Sequence, residues 1–196
     1  MRMCIDYRSL NENTIIDRYP LPRIDEILDR LANAVIFSKV DLRSGYHQVA
    51  IEPGHEHRTA FQSRYGLYEY TVLPFGLCNA PATFQRLLND IFRAYLDKYI
   101  TIFLDDILIF SNKVEEHVDH LRVVFSKLRE HTLKAKRTKC EFGLPYIEYL
   151  GHVVSKEGVA VVPEKTRAIA NCPAPTNVKS LQMFLGMCNY YSKFVR

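Results

Sequence analysis

The segment "FLDDILIFS" sets Asp105 and Asp106 side by side within an otherwise apolar, β-branched run. A third carboxylate, Asp41, ends a comparable run, "VIFSKVD". Carboxylates brought to one point repel, and each raises the pKa of the next. Shared divalent cations relieve that cost. Mg²⁺ takes oxygen ligands, usually one or two carboxylates together with substrate phosphates. A pair of such ions activates an attacking oxygen and stabilises a leaving one during in-line phosphoryl displacement. An aspartate at a strand end beside an aspartate on a neighbouring hairpin suits that chemistry. The plain alternative is a solvated turn, because Asp is common at turns. Against it, the tip lacks the Gly that a tight Asp turn usually carries, and its flanks are too apolar for a solvated edge hairpin.

The elements that must position these groups can be read from periodicity and breakers. Pro22 suits the first turn of a helix in which Ile24, Ile27, Leu28 and Leu31 share a face. "AVIFSKVDLRSGYHQVAI" reads as a strand, a Ser-Gly break and a second extended run. "TAFQSRYGLYEYTVLPFG" reads as a hairpin turning at Gly66. Asn79 and Pro81 open a helix whose face carries Phe84, Leu87, Leu88, Ile91, Phe92 and Tyr95. The opening segment predicts a hairpin with the two aspartates as its two-residue connection. A further helix begins near Asn112, with a stripe of Val114, Val118, Leu121, Phe125 and Leu128. "LKAKRTKCEFG" and "YIEYLGHVVS" predict two strands around a Gly143-Leu144-Pro145 turn. Pro163 opens a short helix, and a last helix starts near Asn177 after the break Cys172-Pro173-Ala174-Pro175. Helices interspersed with hairpins predict an α+β fold with an antiparallel sheet.

Composition narrows the class. The 196 residues suffice for a real core, and 47% hydrophobic with 24% charged content excludes a disordered chain. The net charge of +4 permits a polyanionic partner without demanding one. Cys4, Cys78, Cys140, Cys172 and Cys188 are odd in number and form no C-x-x-C pair, which argues against a disulfide scaffold or a zinc finger. They are expected to be reduced core residues. No secretory signal opens the chain and no apolar run reaches membrane-spanning length, so an intracellular protein that meets no membrane is expected.

Several long segments then resemble, in order, those of reverse transcriptases. "FLDDILIFS" resembles the Y-x-D-D motif with Phe103 in place of Tyr, and "FSKVDLRSGYHQVAI" the segment carrying the first catalytic Asp. "RTAFQSRYGLYEYTVLPFGLCNAPATFQRLLNDIF" resembles the segment that closes over the nucleotide, and "YLGHVVSKEGV" the primer-positioning hairpin. The resemblance covers essentially the whole chain, and points to the polymerase part of a gypsy-type LTR-retrotransposon polyprotein.

That resemblance implies a right-hand polymerase, with an antiparallel palm sheet backed by helices. Residues 1–15 and 49–78 map to fingers, 16–48 and 79–154 to palm, and 155–196 to the start of a thumb. It implies that Asp41, Asp105 and Asp106 are catalytic and hold two Mg²⁺ ions, with Mn²⁺ as a substitute. Arg2, Leu42, Tyr46, Phe75 and Gly76 become dNTP-binding residues, Tyr46 as an aromatic gate against the ribose 2′-hydroxyl. Phe103, Leu104, Tyr149, Leu150, Gly151, His152, Lys134 and Lys136 become primer or template contacts, and the last helix, with Lys179 and Tyr190, follows the duplex. The implied partners are an RNA or DNA template-primer duplex, dNTPs and the remaining protease, RNase H and integrase parts of the polyprotein. The implied location is the cytoplasm or a virus-like particle. Met1 stands where the family has Trp, and the family's upstream Lys for the triphosphate has no counterpart here. A fragment with an intact metal site but weakened processive synthesis is therefore expected. The competing classes are a catalytically inert nucleic-acid-binding remnant and a two-metal nuclease. The latter would need a further acidic or His ligand that the motif order does not offer.

Overall fold

A computed structural model of the protein describes residues 4–191. After the one-turn helix α1 (Arg8–Glu12), the predicted apolar face forms on α2 (Ile24–Leu31), where Ile27, Leu28 and Leu31 are buried. Strand β1 (Ile36–Asp41) follows, then the short hairpin β2 (Phe61–Ser63) and β3 (Gly66–Tyr68). Helix α3 (Ala80–Phe92) starts at Asn79 with proline in its first turn, as the sequence predicts. Strands β4 (Ile100–Phe103) and β5 (Asp106–Ser111) lead to α4 (Val114–Glu130). The remainder is β6 (Glu141–Leu144), β7 (Tyr146–Tyr149), β8 (His152–Ser155), β9 (Gly158–Val161), α5 (Pro163–Ala170) and α6 (Val178–Tyr190). Asn177 caps α6 reciprocally with Ser180, which explains why that helix begins where it does.

The strands form three sheets, of which the four-stranded one, in the order β4-β5-β1-β6, is the framework. All its pairs are antiparallel. Its central strands are buried on both faces, because successive side chains in a strand point to opposite sides. Ile107 and Ile109 join Val40, Ile100 and Ile102 against Phe84, Leu88 and Phe92 of α3 and Val124 and Leu128 of α4. Leu108 and Phe110 join Phe37 on the other face, against Ile27, Leu28 and Leu31 of α2 and Ile147, Tyr149 and Val154 of β7 and β8. The continuous apolar run of β5 thus reflects two cores, one above and one below. Strands β7, β8 and β9 form their own antiparallel sheet, and the β8–β9 pair spans residue 155.

Four local expectations are corrected. The run after Ser44 is not extended: Gly45–Gln48 is a 3₁₀ turn, entered through Ser44 at φ +47°. "LKAKRTKC" is a loop with a 3₁₀ turn at Arg137–Lys139, and "YIEYLGHVVS" is a hairpin in itself, turning at Leu150–Gly151. The cysteines are free, but none is fully buried and Cys4 is exposed. The apolar stripe proposed for α4 leaves Val114, Val118 and Phe125 exposed, whereas His117, Val124 and Leu128 are buried.

The inward turn of α4 follows from a buried polar chain. The Gly143 N–H donates to Ser38 Oγ (2.9 Å), which lies 2.7 Å from His117 Nε2. Ser111 Oγ lies 2.8 Å from both His117 Nδ1 and His120 Nδ1, and His120 stacks on Tyr99. With neutral imidazoles, a proton on each serine oxygen and on His117 Nδ1 satisfies every link. A second proton on His117 strands the Ser38 hydroxyl hydrogen. Burial accordingly holds both imidazoles below their ordinary pKa, helped at His117 by its neighbour His120 and opposed at His120 by Glu116 and Asp119.

Folded-state histidine pKa values below the unfolded value mean that the unfolded chain binds more protons near pH 6. The stability contributed by this chain is therefore complete above about pH 6.5 and declines as the pH falls below it. Urea unfolding at pH 7.5 and pH 5 should show this decline. His117→Ala should cost about 1–3 kcal/mol at pH 7.5 by leaving the buried Ser38 hydroxyl without an acceptor, and should flatten the pH dependence. An equal slope in the variant would assign it to other groups.

Candidate active site

The β4–β5 hairpin turns through Leu104 and Asp105, because Phe103 pairs with Asp106. The two aspartates are therefore not the connection: Asp105 sits at the exposed tip and Asp106 is the first residue of β5. Leu104 takes φ +55°, a conformation that usually falls to Gly in such turns and costs a side-chain-bearing residue about 1–2 kcal/mol. Gln85 of α3, fully buried, offsets that cost. Its Oε1 accepts the Leu104 N–H at 2.7 Å, and its Nε2 donates to the Ile102 carbonyl (3.1 Å) and to Asn89 Oδ1 (2.9 Å).

Register carries Asp41 to the same place. β1 pairs with β5 without a slip from Ile36↔Ser111 to Asp41↔Asp106, so the two aspartates are direct cross-strand neighbours. Burial pushes the Asp106 carboxyl above its usual range, with Asp105 and Asp41 adding to the rise and Lys39 and Lys139 opposing it. Lys139 Nζ lies 3.0 Å from Asp41 Oδ2. As placed, no group of three or more His, Cys, Asp or Glu side chains among the described residues is arranged to hold a metal ion. The donor set nevertheless fits a hard divalent cation. It comprises carboxylates on adjoining strands, one of them held partly out of water, with Lys39 and Lys139 supplying the balancing charge.

The 3₁₀ turn after β1 forms one wall beside these groups. A side chain on Gly45 would meet the Phe84 ring at 2.8 Å and Asp105 Cβ at 3.5 Å, so only glycine allows this approach. Tyr46 packs against Phe75 (5.1 Å) and edge-on to Phe84 (5.4 Å). Burial, then the Asp105 charge, holds its phenol in the neutral form. Gly76 adopts φ +103° next to Tyr7, and its carbonyl accepts from Asn11 Nδ2 at 2.8 Å. Leu42 is an exception among the expected nucleotide contacts, because its side chain is in the core and only its backbone can face a ligand. Arg2 lies outside the described residues.

Among the expected primer and template contacts, Phe103 and Leu104 are half-buried at the hairpin tip. Tyr149 and His152 turn inward instead. Both are buried, and burial together with the Asp106 charge drives the Tyr149 phenol far above its usual pKa. Of the four contacts expected at this hairpin, Leu150 and Gly151 are half-buried at the turn, where the Tyr190 hydroxyl of α6 donates to the Leu150 carbonyl at 2.7 Å. Lys134 and Lys136 are exposed on the loop beside β1. Gln48 fixes that loop, accepting the Lys134 N–H at 2.7 Å and donating to the Arg43 and Lys134 carbonyls. Gln85 and Gln48 carry no mark in the sequence, and Lys139, one of the cations of the basic run "LKAKRTKC", gains an unforeseen tie to Asp41. A glutamine on an amphipathic helix gives no signal of burial, while Lys139 lay within the basic run and its tie to Asp41 depends on the fold.

The reverse transcriptase (RNA-dependent DNA polymerase) family model matches residues 1–154. The chain is 46% identical over 194 residues to the retrovirus-related Pol polyprotein from transposon 297 of Drosophila melanogaster, which covers 99% of this chain and 18% of that protein. It is 41% identical over 195 residues to the corresponding polyprotein from transposon gypsy of the same organism, covering 100% of this chain and 19% of that one. The chain thus spans under a fifth of these relatives. Among solved structures it is similar to a foamy viral protease-reverse transcriptase in complex with double-stranded DNA, with TM-score 0.90, 27% identity and coverage of 97% of this chain and 33% of that one. A complex of the foamy viral enzyme with an RNA/DNA hybrid gives TM-score 0.85 at 27% identity, over 97% of this chain and 26% of that one. The four-stranded antiparallel sheet and its helices are accordingly those of a right-hand polymerase. With its carboxylate hairpin in the matched region, the chain belongs to the reverse transcriptase family, alongside the Pol polyproteins of gypsy-type transposons.

Proposed function

We propose that this chain is the part of an RNA-directed DNA polymerase that joins an incoming dNTP to a primer 3′-hydroxyl on an RNA or DNA template. The observation that carries the reading is the cross-strand pairing of Asp41 with Asp106 beside the Asp105 turn. These three side chains would hold Mg²⁺, two ions by family analogy with Mn²⁺ as a substitute. When bound, the metal supplies activation of the hydroxyl and neutralisation of phosphate charge. Lys139 occupies Asp41 Oδ2, so Asp41 would offer a cation its other carboxylate oxygen, or both if the lysine moved aside.

The remaining residues bind and orient. The Tyr46 ring, braced by Phe75 and Phe84, forms a wall that a ribose 2′-hydroxyl would strike, which favours deoxynucleotides. Gly76 and the Leu42 backbone line the same side, and Arg2 is assigned to the triphosphate. Phe103, Leu104 and the Leu150–Gly151 turn face the primer end. Lys134 and Lys136 meet backbone phosphates without reading sequence. Residues 1–15 and 49–78 act as fingers, 16–48 and 79–154 as palm, and 155–196 as the beginning of the thumb. The protein works within a Pol polyprotein, alongside protease, RNase H and integrase parts, in the cytoplasm or a virus-like particle. Among the described residues no helix is long and apolar enough to cross a membrane.

Primer extension on an RNA template with Mg²⁺ and dNTPs should be observed. Asp105→Asn should reduce it at least about 100-fold, since it removes a charge that acts mainly in the transition state. A folded wild type that binds primer-template but never extends it would favour the inert binding reading instead. The two loop lysines make a separate prediction. Lys134→Gln combined with Lys136→Gln should lower the slope of log affinity against log salt by about 2, at roughly 0.9 per duplex phosphate contact. An unchanged slope would remove these lysines from the interface.

A further inference from the structure

We propose that Gln85 is a positioning residue, holding the Leu104–Asp105 turn in the conformation that lets the aspartates take up metal; this rests on the metal role given above to Asp41, Asp105 and Asp106. The side-chain amide of Gln85 has one acceptor oxygen and two donor hydrogens, and all three functions are used. The oxygen takes the Leu104 N–H, and the nitrogen serves the Ile102 carbonyl and Asn89 Oδ1. The amide orientation is fixed by its partners, because the reverse orientation would set N–H against N–H at Leu104. Gln85 is itself held from outside. Asn89 Nδ2 donates to the Tyr19 hydroxyl at 2.9 Å, Arg86 lies over the Tyr19 ring, and Arg86 pairs with Asp17 at 2.6 Å.

Phe84, the preceding residue of α3, touches the Tyr46 ring and occupies the space above Gly45. Two consecutive residues of one rigid helix therefore set both sides of the cleft, Phe84 the aromatic wall and Gln85 the carboxylate turn. Leu104 holds a positive φ with no glycine to ease it, and the Gln85 amide supplies the hydrogen bond that fixes the turn. Without that bond the turn is free to relax, and Asp105 moves with it. Asp106 is better anchored, by its pairing to both neighbouring strands.

The test is Mn²⁺ binding, followed by electron paramagnetic resonance on the intact chain, in wild type, Gln85→Met and Gln85→Met/Leu104→Gly. Met keeps the length and apolar stem of Gln85 but neither donates nor accepts there. Outer-shell partners of metal ligands typically contribute 10–100-fold to affinity, so Gln85→Met should weaken Mn²⁺ binding at least about 10-fold. Glycine takes a positive φ unaided, so the added Leu104→Gly should recover much of that loss. Leu88→Ala, a packing change on the same helix, should lower thermal stability and leave Mn²⁺ affinity within about two-fold. A Gln85→Met affinity within two-fold of wild type, or a failure of Leu104→Gly to restore it, would overturn the assignment. Wild type that shows no Mn²⁺ site would overturn it too. Wild type that binds Mn²⁺ but does not extend primers would instead overturn the polymerase reading and leave the positioning role intact.

Discussion

The register of β1 against β5 is the constraint on which the rest depends. A one-residue slip in an antiparallel pair moves every side chain to the opposite face. Here that would carry Val40 away from the α3 and α4 side and Phe37 away from the α2 and β7 side, so both cores would be lost together. It would also withdraw Ser38 from His117, leaving a buried hydroxyl and imidazole unsatisfied. With two apolar faces and one polar pin specifying the same alignment, Asp41 is delivered opposite Asp106 as a consequence of packing. The carboxylate pair needs no attraction of its own, and its mutual repulsion is outweighed by the burial around it.

That repulsion still shapes the site. Alternation along the strands puts Lys39, Asp41 and Asp106 on one face of the sheet, and Lys39 and Lys139 are the two cations that temper the Asp106 carboxyl. Lys139 comes from the 3₁₀ turn before β6, outside the strand pair, so it can leave Asp41 without disturbing the sheet. A lysine from outside the strand pair thus balances the Asp41 charge without being built into the sheet. A fixed arginine fork in its place would compete with divalent ions for the same oxygens.

The carboxylates, the order of helices and most strand positions were legible in the sequence because each has a local signature. Ile24 to Leu31 show helical periodicity, Asn79 with Pro81 and the Cys172–Pro175 break before Asn177 mark helix starts, and the apolar flanks of Asp105 and Asp106 point to a buried hairpin. What escaped depends on long-range contact. The hairpin connection was expected at Asp105 and Asp106 but falls one residue earlier, where Gln85 supports the positive φ of Leu104. The apolar stripe on α4 was read as its inner face, but Val114, Val118 and Phe125 are exposed because His117 has its polar partners on β1 and β5. Tyr149 and His152 were placed at the primer, whereas their rings fill space behind the carboxylates and beneath α6.

Around the site, several irregular segments are tied together by neutral amides. Asn11 donates to the Gly76 carbonyl and accepts the Cys78 N–H, while Asn79 accepts the Asp17 N–H and donates to the Ile15 carbonyl. Gln48 does the same for the Lys134 loop, and Gln85 for the Leu104 turn. Each side chain offers one acceptor and two donors, so it pairs with backbone as another peptide group would, between segments too irregular to form a ladder. Loops fixed in this way hold their shape whatever charge enters beside them. A salt bridge would be weakened by every incoming phosphate or cation, whereas an amide pair feels only a small dipolar interaction. At a centre proposed to take triphosphates and divalent metals, neutral ties let the frame stay constant while the charges within it change.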